Sequence, residues 1–360
     1  MRKPMRKPAH REVRSCFFPR RRVPVADARL SGRRDACAMP EQAAKTGDDP
    51  MAITRIESVT YGVDELADSI RFVEDFGLAR IDTSNDRVVF ATPANQSLRL
   101  VAAQARDLPE GLETGSTLRE LIWGVDSIAS LDALHNTLSR DRAVRVDGEG
   151  VLHTHDETGY AIGFALAQPL PIGEIRRGGD GAGRAQGVRD DLFYWNRTFD
   201  AYTRARVLRL ARVTLDIPEA GRDAAIDFYR HRLGFELAAS APGAGSFLRC
   251  GAGVGRHGLR LSERANRPGI NRIAFEVGDL DDLIAGGNFM GAQGWQGSRR
   301  LDRDRSGANV FRCFDAPCGG RFEYAAERDP ANERGGVRFR EMLSRQDPVS
   351  VAMRVDGMSY

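Results

Sequence analysis

The chain has 360 residues, 41% of them hydrophobic, and carries 53 Lys+Arg against 50 Asp+Glu for a net charge of +3, enough material for two packed domains. The balance is uneven: residues 1–50 hold 13 Lys+Arg and 6 Asp+Glu, so the rest of the chain is net acidic and makes no general case for nucleic-acid binding. All the lysines, Lys3, Lys7 and Lys45, fall in that first stretch, which excludes from the body any chemistry that needs an amine, such as a Schiff base or a phosphate-loop lysine.

Residues 1–50 mix repeated Arg-Lys-Pro, arginine runs and small polar residues around one apolar cluster, Cys16-Phe17-Phe18. Such a segment cannot bury a core. It reads as a disordered basic leader, or as a mis-assigned start with translation beginning at Met51. No window approaches 18 apolar residues and no apolar signal core opens the chain, so the expectation is a cytoplasmic protein with no membrane contact. The five cysteines, Cys16, Cys37, Cys250, Cys313 and Cys318, fit neither a disulfide framework nor a zinc ribbon.

From Ile53 one pattern recurs at a spacing of about 55 residues: an alternating strand, a turn, an amphipathic helix, then Gly-punctuated strands. The first copy reads Ile56–Val63, Leu66–Gly77, Arg87–Phe90 and Leu98–Val101. The second follows with Glu120–Val125, Ile128–Leu138 and Tyr160–Phe164. The third has a strand at Leu210–Pro218, a helix over Asp223–Phe235 that stops at Gly234, and the phrase His257-Gly-Leu-Arg-Leu261. The fourth has Asn271–Val277, a helix start at Asp279, and strands Val310–Phe314 and Arg321–Tyr324. Two pairs of units make two domains, 51–168 and 208–328, joined by a Gly/Pro/Arg-rich connector at 169–207 that Phe193-Tyr-Trp195 would dock. A polar tail follows at 329–360 with one helix at Val337–Ser344.

The tandem βαβββ unit, with Asp227-Phe-Tyr-x-x-x-Leu-Gly-Phe235 and a close ending in Glu323-Tyr324, resembles the vicinal oxygen chelate superfamily. Four units in one chain look like the two-domain type I extradiol dioxygenases, which cleave catechols with Fe(II) or Mn(II). The resemblance covers residues 52–328 and implies an α+β fold in which four units pair into two half-open β-barrel domains. It places a metal in the second domain on residues matching Arg212, Arg272 and Glu323, so only the carboxylate is retained. It also places an acid/base histidine at His257 and replaces an active-site tyrosine by Cys313. In the first domain the equivalent positions hold Ser58 and Gly163, with Glu120 a lone carboxylate, so no metal site is expected there.

Alternation puts Val213, Leu215 and Ile217 on one face of their strand and Arg212 and Thr214 on the other, cavity-facing one; Arg272, Ala274 and Glu276 divide likewise from Ile273, Phe275 and Val277. A guanidinium donates hydrogen bonds but cannot accept one, so it cannot replace an imidazole ligand. At an effective dielectric of ~20, a dication about 4 Å from one positive charge is repelled by roughly 8 kcal/mol. The leading reading is therefore a metal-free, cofactor-less site in which Arg212, Arg272 and Arg260 clamp a small anionic aromatic compound, Glu323 orients an arginine and His257 transfers a proton. The blander reading is a fossil site in which the arginines only neutralise Glu323. A non-catalytic binding protein on the same fold, and a true ring-cleaving enzyme whose Fe(II) or Mn(II) has unusual ligands, are the alternatives. Cys313 reads as core more readily than as a nucleophile. His153 and His155 form a His-x-His pair in what reads as a loop, without neighbouring ligands. Exposed half-barrel edges leave a homodimer open.

Overall fold

The computed structural model describes residues 53–171 and 200–327 apart from 242–244, 251–257, 265–266, 299–300 and 304–308. The basic leader, the Phe193–Trp195 cluster, the helix expected at Val337–Ser344 and His257 lie outside the described residues.

The first unit comprises β1 (Ile53–Val63), α1 (Leu66–Asp75), β2 (Ala79–Thr83), β3 (Arg87–Ala91) and β4 (Ser97–Ala102). The second comprises β5 (Thr117–Val125), α2 (Ile128–Leu138), β6 (Arg145–Val146), β7 (Leu152–His155) and β8 (Ala161–Leu166). The third is β9 (Val207–Ile217), α3 (Arg222–Asp227), β10 (Glu236–Ala241), β11 (Gly245–Arg249) and β12 (Leu259–Glu263). The fourth is β13 (Gly269–Val277), α4 (Leu280–Ala292), β14 (Asp302–Arg303), β15 (Asn309–Asp315) and β16 (Arg321–Glu327). Helix starts follow from side chains that accept a backbone N–H: Ser127 takes that of Ser130 before α2, and Asp279 that of Asp282 before α4.

The strands form two sheets, β2-β3-β4-β1-β5-β8-β7-β6 and β10-β11-β12-β9-β13-β16-β15-β14. In each, the first strands of two units meet antiparallel at the centre, β1 with β5 and β9 with β13. Each first strand also pairs in parallel with the last strand of its own unit, a link that requires the intervening helix as a crossover. This is the α+β arrangement of four βαβββ units, paired into sheets that stay half open.

The third helix differs from the sequence expectation. α3 ends at Asp227, and the chain continues through a wider π turn, Phe228–Arg232, before Gly234 takes φ 73°. The wider turn lets both Phe228 and Tyr229 be buried. The Tyr229 hydroxyl then reaches Asp156 Oδ2 at 2.9 Å.

One face of each sheet is apolar, and those faces share a continuous core. Phe76, just past α1, stacks on Tyr324 at 4.0 Å between centroids and meets Phe275 and Phe322 edge-on. Trp123 of β5 meets Phe235 edge-on at 5.0 Å. Hydroxyls cross the same seam: Tyr324 donates to the Phe76 carbonyl at 2.8 Å, and Tyr160 is shared between the Asp216 and Gly269 carbonyls at 2.8 and 2.6 Å. Because the apolar faces are used against each other, polar side chains collect on the opposite, inner face of each half-open sheet. Among the described residues no helix is long and apolar enough to cross a membrane.

Candidate functional site

On the inner face of the second sheet, register brings distant residues into one cluster. Arg212 pairs across the ladder with Ala274, Ala274 with Glu323, and Glu323 with Cys313, while Thr214 lies between Arg260 and Arg272. Glu323 is 1% exposed and both its oxygens are taken: Oε1 accepts from Arg212 Nη2 at 2.7 Å and Oε2 from Arg272 Nη1 at 2.9 Å. Arg272 also donates through Nε to Asn271 Oδ1 at 3.1 Å. Asp216, on the same face, accepts from Asn271 at 2.9 Å and from Arg264 at 3.4 Å, and its charge acts on Arg260 and Arg272.

Two guanidiniums, Arg212 and Arg272, thus share the one Glu323 carboxylate. Burial, together with the charges of Arg272 and Arg212, lowers the pKa of Arg260 from the ordinary guanidinium value. Burial also works against the Arg272 cation, but the Glu323 charge, Cys313, the hydrogen bond to Glu323 and the Asp216 charge together raise that pKa. Two buried polar atoms here, Arg212 Nε and the Thr214 hydroxyl, have no hydrogen-bond partner. Aromatic rings flank the arginines on both sides: Arg260 lies over Phe247 at 5.0 Å and Arg272 over Phe311 at 5.9 Å. A cavity of about 400 Å³ opens beside Arg272 and is walled by Asp216, Arg264, Asn271 and Arg321.

Cys313 sits 3.6 Å from both Arg272 Nη1 and Glu323 Oε2. Burial, and then the Glu323 charge, push its thiol up to about 12. A thiol held protonated in this way is no nucleophile at neutral pH. The donor set does not suit a divalent metal: two of the three positions are cations with no lone pair to offer, and the carboxylate's two oxygens are both engaged. Among the described residues no group of three or more His, Cys, Asp or Glu side chains could hold a metal ion. His257 lies outside the described residues, so of the six residues singled out in sequence the structure gathers Arg212, Arg260, Arg272, Cys313 and Glu323.

The first sheet contains a grouping that the sequence reading missed. His153 and His155 stand on β7, not in a loop. Strand alternation aims both at the inner face. His153 Nδ1 lies 2.6 Å from Glu120 Oε1 and its Nε2 lies 3.1 Å from Asp147 Oδ2. The internal repeat could have found this pair, because the ladder places Glu120 opposite Thr60 just as Arg272 lies opposite Thr214, and His153 opposite Gly163 just as Cys313 lies opposite Glu323.

An imidazole with a carboxylate on each nitrogen needs both protons. The Glu120 hydrogen bond raises the His153 pKa, burial opposes it, and Asp147 adds to the rise. A group whose folded pKa is raised contributes stability that is complete below its unfolded value, about 6.5, and is lost as pH climbs through the folded value. The midpoint of urea unfolding is therefore expected to fall as pH rises above neutrality, and His153→Gln should flatten that slope. An unchanged slope in the variant would show that the charge on this ring does not support the fold.

Residues 214–324 match the family model described as Glyoxalase/Bleomycin resistance protein/Dioxygenase superfamily. A curated relative, metapyrocatechase 2 of Cupriavidus necator, is 31% identical over 121 residues, which is 34% of this chain and 37% of that protein's length. Among solved structures, the Mn(II)-bound glyoxalase from Novosphingobium aromaticivorans superposes with a TM-score of 0.57 at 19% identity over 78% of this chain and 84% of its own. Homoprotocatechuate 2,3-dioxygenase from Brevibacterium fuscum, in an anaerobic complex with 3,4-dihydroxyphenylacetate, gives 0.57 at 17% identity over the same shares. At these identities the likeness to solved structures is one of fold.

Proposed function

From the match of residues 214–324 to the glyoxalase/bleomycin resistance protein/dioxygenase superfamily model, we propose a protein that binds a small anionic aromatic compound on the inner face of its second sheet, without Fe(II) or Mn(II). Arg212, Arg260 and Arg272 hold the anion, and Glu323 orients Arg212 and Arg272. Phe247 and Phe311 supply the ring contacts. The observation that carries this reading is that two guanidiniums share one buried carboxylate while Arg212 Nε and the Thr214 hydroxyl, both buried beside it, have no hydrogen-bond partner. A planar carboxylate meets two N–H groups of a guanidinium side by side, and its ring stacks on the same planar group, so one ligand answers both features. Conversion by proton transfer would fall to His257, whose role stands on the sequence resemblance alone. The second sheet's domain, 208–328, is the functional one in this reading, and the first, 51–168, carries its packing partner. The protein acts in the cytoplasm and needs no nucleic-acid partner.

Calorimetric titration of the full chain with benzoate should give saturable binding that falls at least about tenfold, or 1.4 kcal/mol, in Arg272→Gln. Elemental analysis after anaerobic Fe(II) loading should find no tightly held metal. Near-stoichiometric iron with oxygen uptake on a catechol would overturn the metal-free reading, and benzoate affinity indifferent to Arg272 would overturn the clamp.

A further inference from the structure

A cavity of about 870 Å³ lies on the inner face of the first sheet, apart from the arginines. Leu108, Pro109, Ala143, Val144 and Ala161 give it apolar walls. At its floor stands Glu120, 9% exposed, with Oε1 on His153 and, among the described residues, no hydrogen-bond partner for Oε2. Asp147 holds the far side of the His153 ring, and is itself fixed by the backbone N–H groups of Glu149 and Val151 at 2.9 Å each.

Register makes this cluster the counterpart of the arginine cluster with the charge reversed. Ser58 stands where the second sheet has Arg212, Glu120 where it has Arg272, His153 where it has Cys313, and Gly163 where it has Glu323. The space that the Glu323 side chain fills is taken in the first sheet by Ile122, whose Cδ1 lies 2.5 Å from where a Cβ on Gly163 would be. Two carboxylates and one imidazolium leave the floor with one net negative charge. On the rim Arg106 and Arg145 are offset by Asp107 and Glu110. Arg99 lies two strands from Glu120, across Thr60, and does not line the cavity.

We propose that this cavity is a second ligand site, distinct from the arginine cluster, that takes a small organic cation: a primary amine bonded to Glu120 with an apolar body against Leu108, Val144 and Ala161. His153 and Asp147 are positioning residues, holding the Glu120 carboxylate so that its second oxygen faces the cavity. A carboxylate bonds more strongly to a donor that brings its own charge than to a neutral one.

Benzylamine titrated into the full chain by calorimetry near neutral pH tests this. Saturable binding with a Kd on the order of 1 mM is expected, the range open to a fragment of about eight heavy atoms. Glu120→Gln should weaken it at least about tenfold. Ala143→Trp, which fills the cavity from an exposed wall position while leaving Glu120 intact, should weaken it as much. Arg272→Gln should leave it unchanged, which separates this site from the anion site. Melting curves of each variant confirm that the fold survives. No saturation by the wild type at ten times that concentration, an affinity indifferent to Glu120→Gln or Ala143→Trp, or a loss in Arg272→Gln would overturn the proposal.

Discussion

Glu323→Ala is expected to cost about 3–5 kcal/mol of stability, because removing one partner of a buried ion cluster strands the others. Arg212 and Arg272 each have a guanidinium nitrogen on this carboxylate, and both side chains are about four-fifths buried. Without Glu323 two cations would face each other and the already crowded Arg260. Glu323→Gln keeps the shape and one acceptor but not the charge, so it should recover only part of the loss. The same physics predicts rescue: an anion that enters the cluster replaces the missing charge, so benzoate should raise the melting temperature of Glu323→Ala more than that of the wild type. Urea unfolding with and without benzoate measures both effects. A loss below about 1 kcal/mol would mean that the guanidiniums find water or another acceptor, and the cluster would then carry little of the fold.

Most of the fold could be read in the sequence because its signals are local and repeated. The period-2 patterns at Val213, Leu215, Ile217 and Ile273, Phe275, Val277 mark the core face of β9 and β13, and by difference they mark Arg212, Thr214 and Arg272 as inner-face residues. The start of α4 follows from Asp279. The break of α3 at Asp227 is not legible in local pattern: the π turn that follows accompanies burial of Tyr229, whose hydroxyl donates to Asp156, 73 positions away. The Arg212–Glu323 and Arg272–Glu323 pairs are the ones the alternative to a ligand clamp expects, and both are made on the one shared carboxylate. His153 was misplaced for a different reason. A four-residue strand bounded by polar turns has too little pattern to separate from a loop, and its partners Glu120 and Asp147 come from other strands and turns. Comparing the two halves position by position would have supplied what periodicity could not.

The double variant Arg212→His/Arg272→His is the strongest test of why this site reads as metal-free. Each guanidinium repels a dication by roughly 8 kcal/mol at about 4 Å and a dielectric near 20, and each also occupies one oxygen of Glu323. Replacing both removes the repulsion, frees the carboxylate and supplies two imidazoles on the inner face, a two-histidine, one-carboxylate set that suits Fe(II). The variant is expected to bind about one equivalent of Fe(II) under anaerobic conditions where the wild type holds none. Stability provides a readout independent of any activity. Without metal the variant leaves Glu323, 1% exposed, as a buried anion lacking its cations, so it should melt below the wild type. Fe(II) at about 100 times its Kd should then restore about 2.7 kcal/mol, whereas the wild type should not respond. Equal iron binding by both proteins would show that the arginines are not what keeps metal out. A variant that folds well but ignores iron would place the obstacle in the backbone spacing of β9, β13 and β16 rather than in the charge of two side chains.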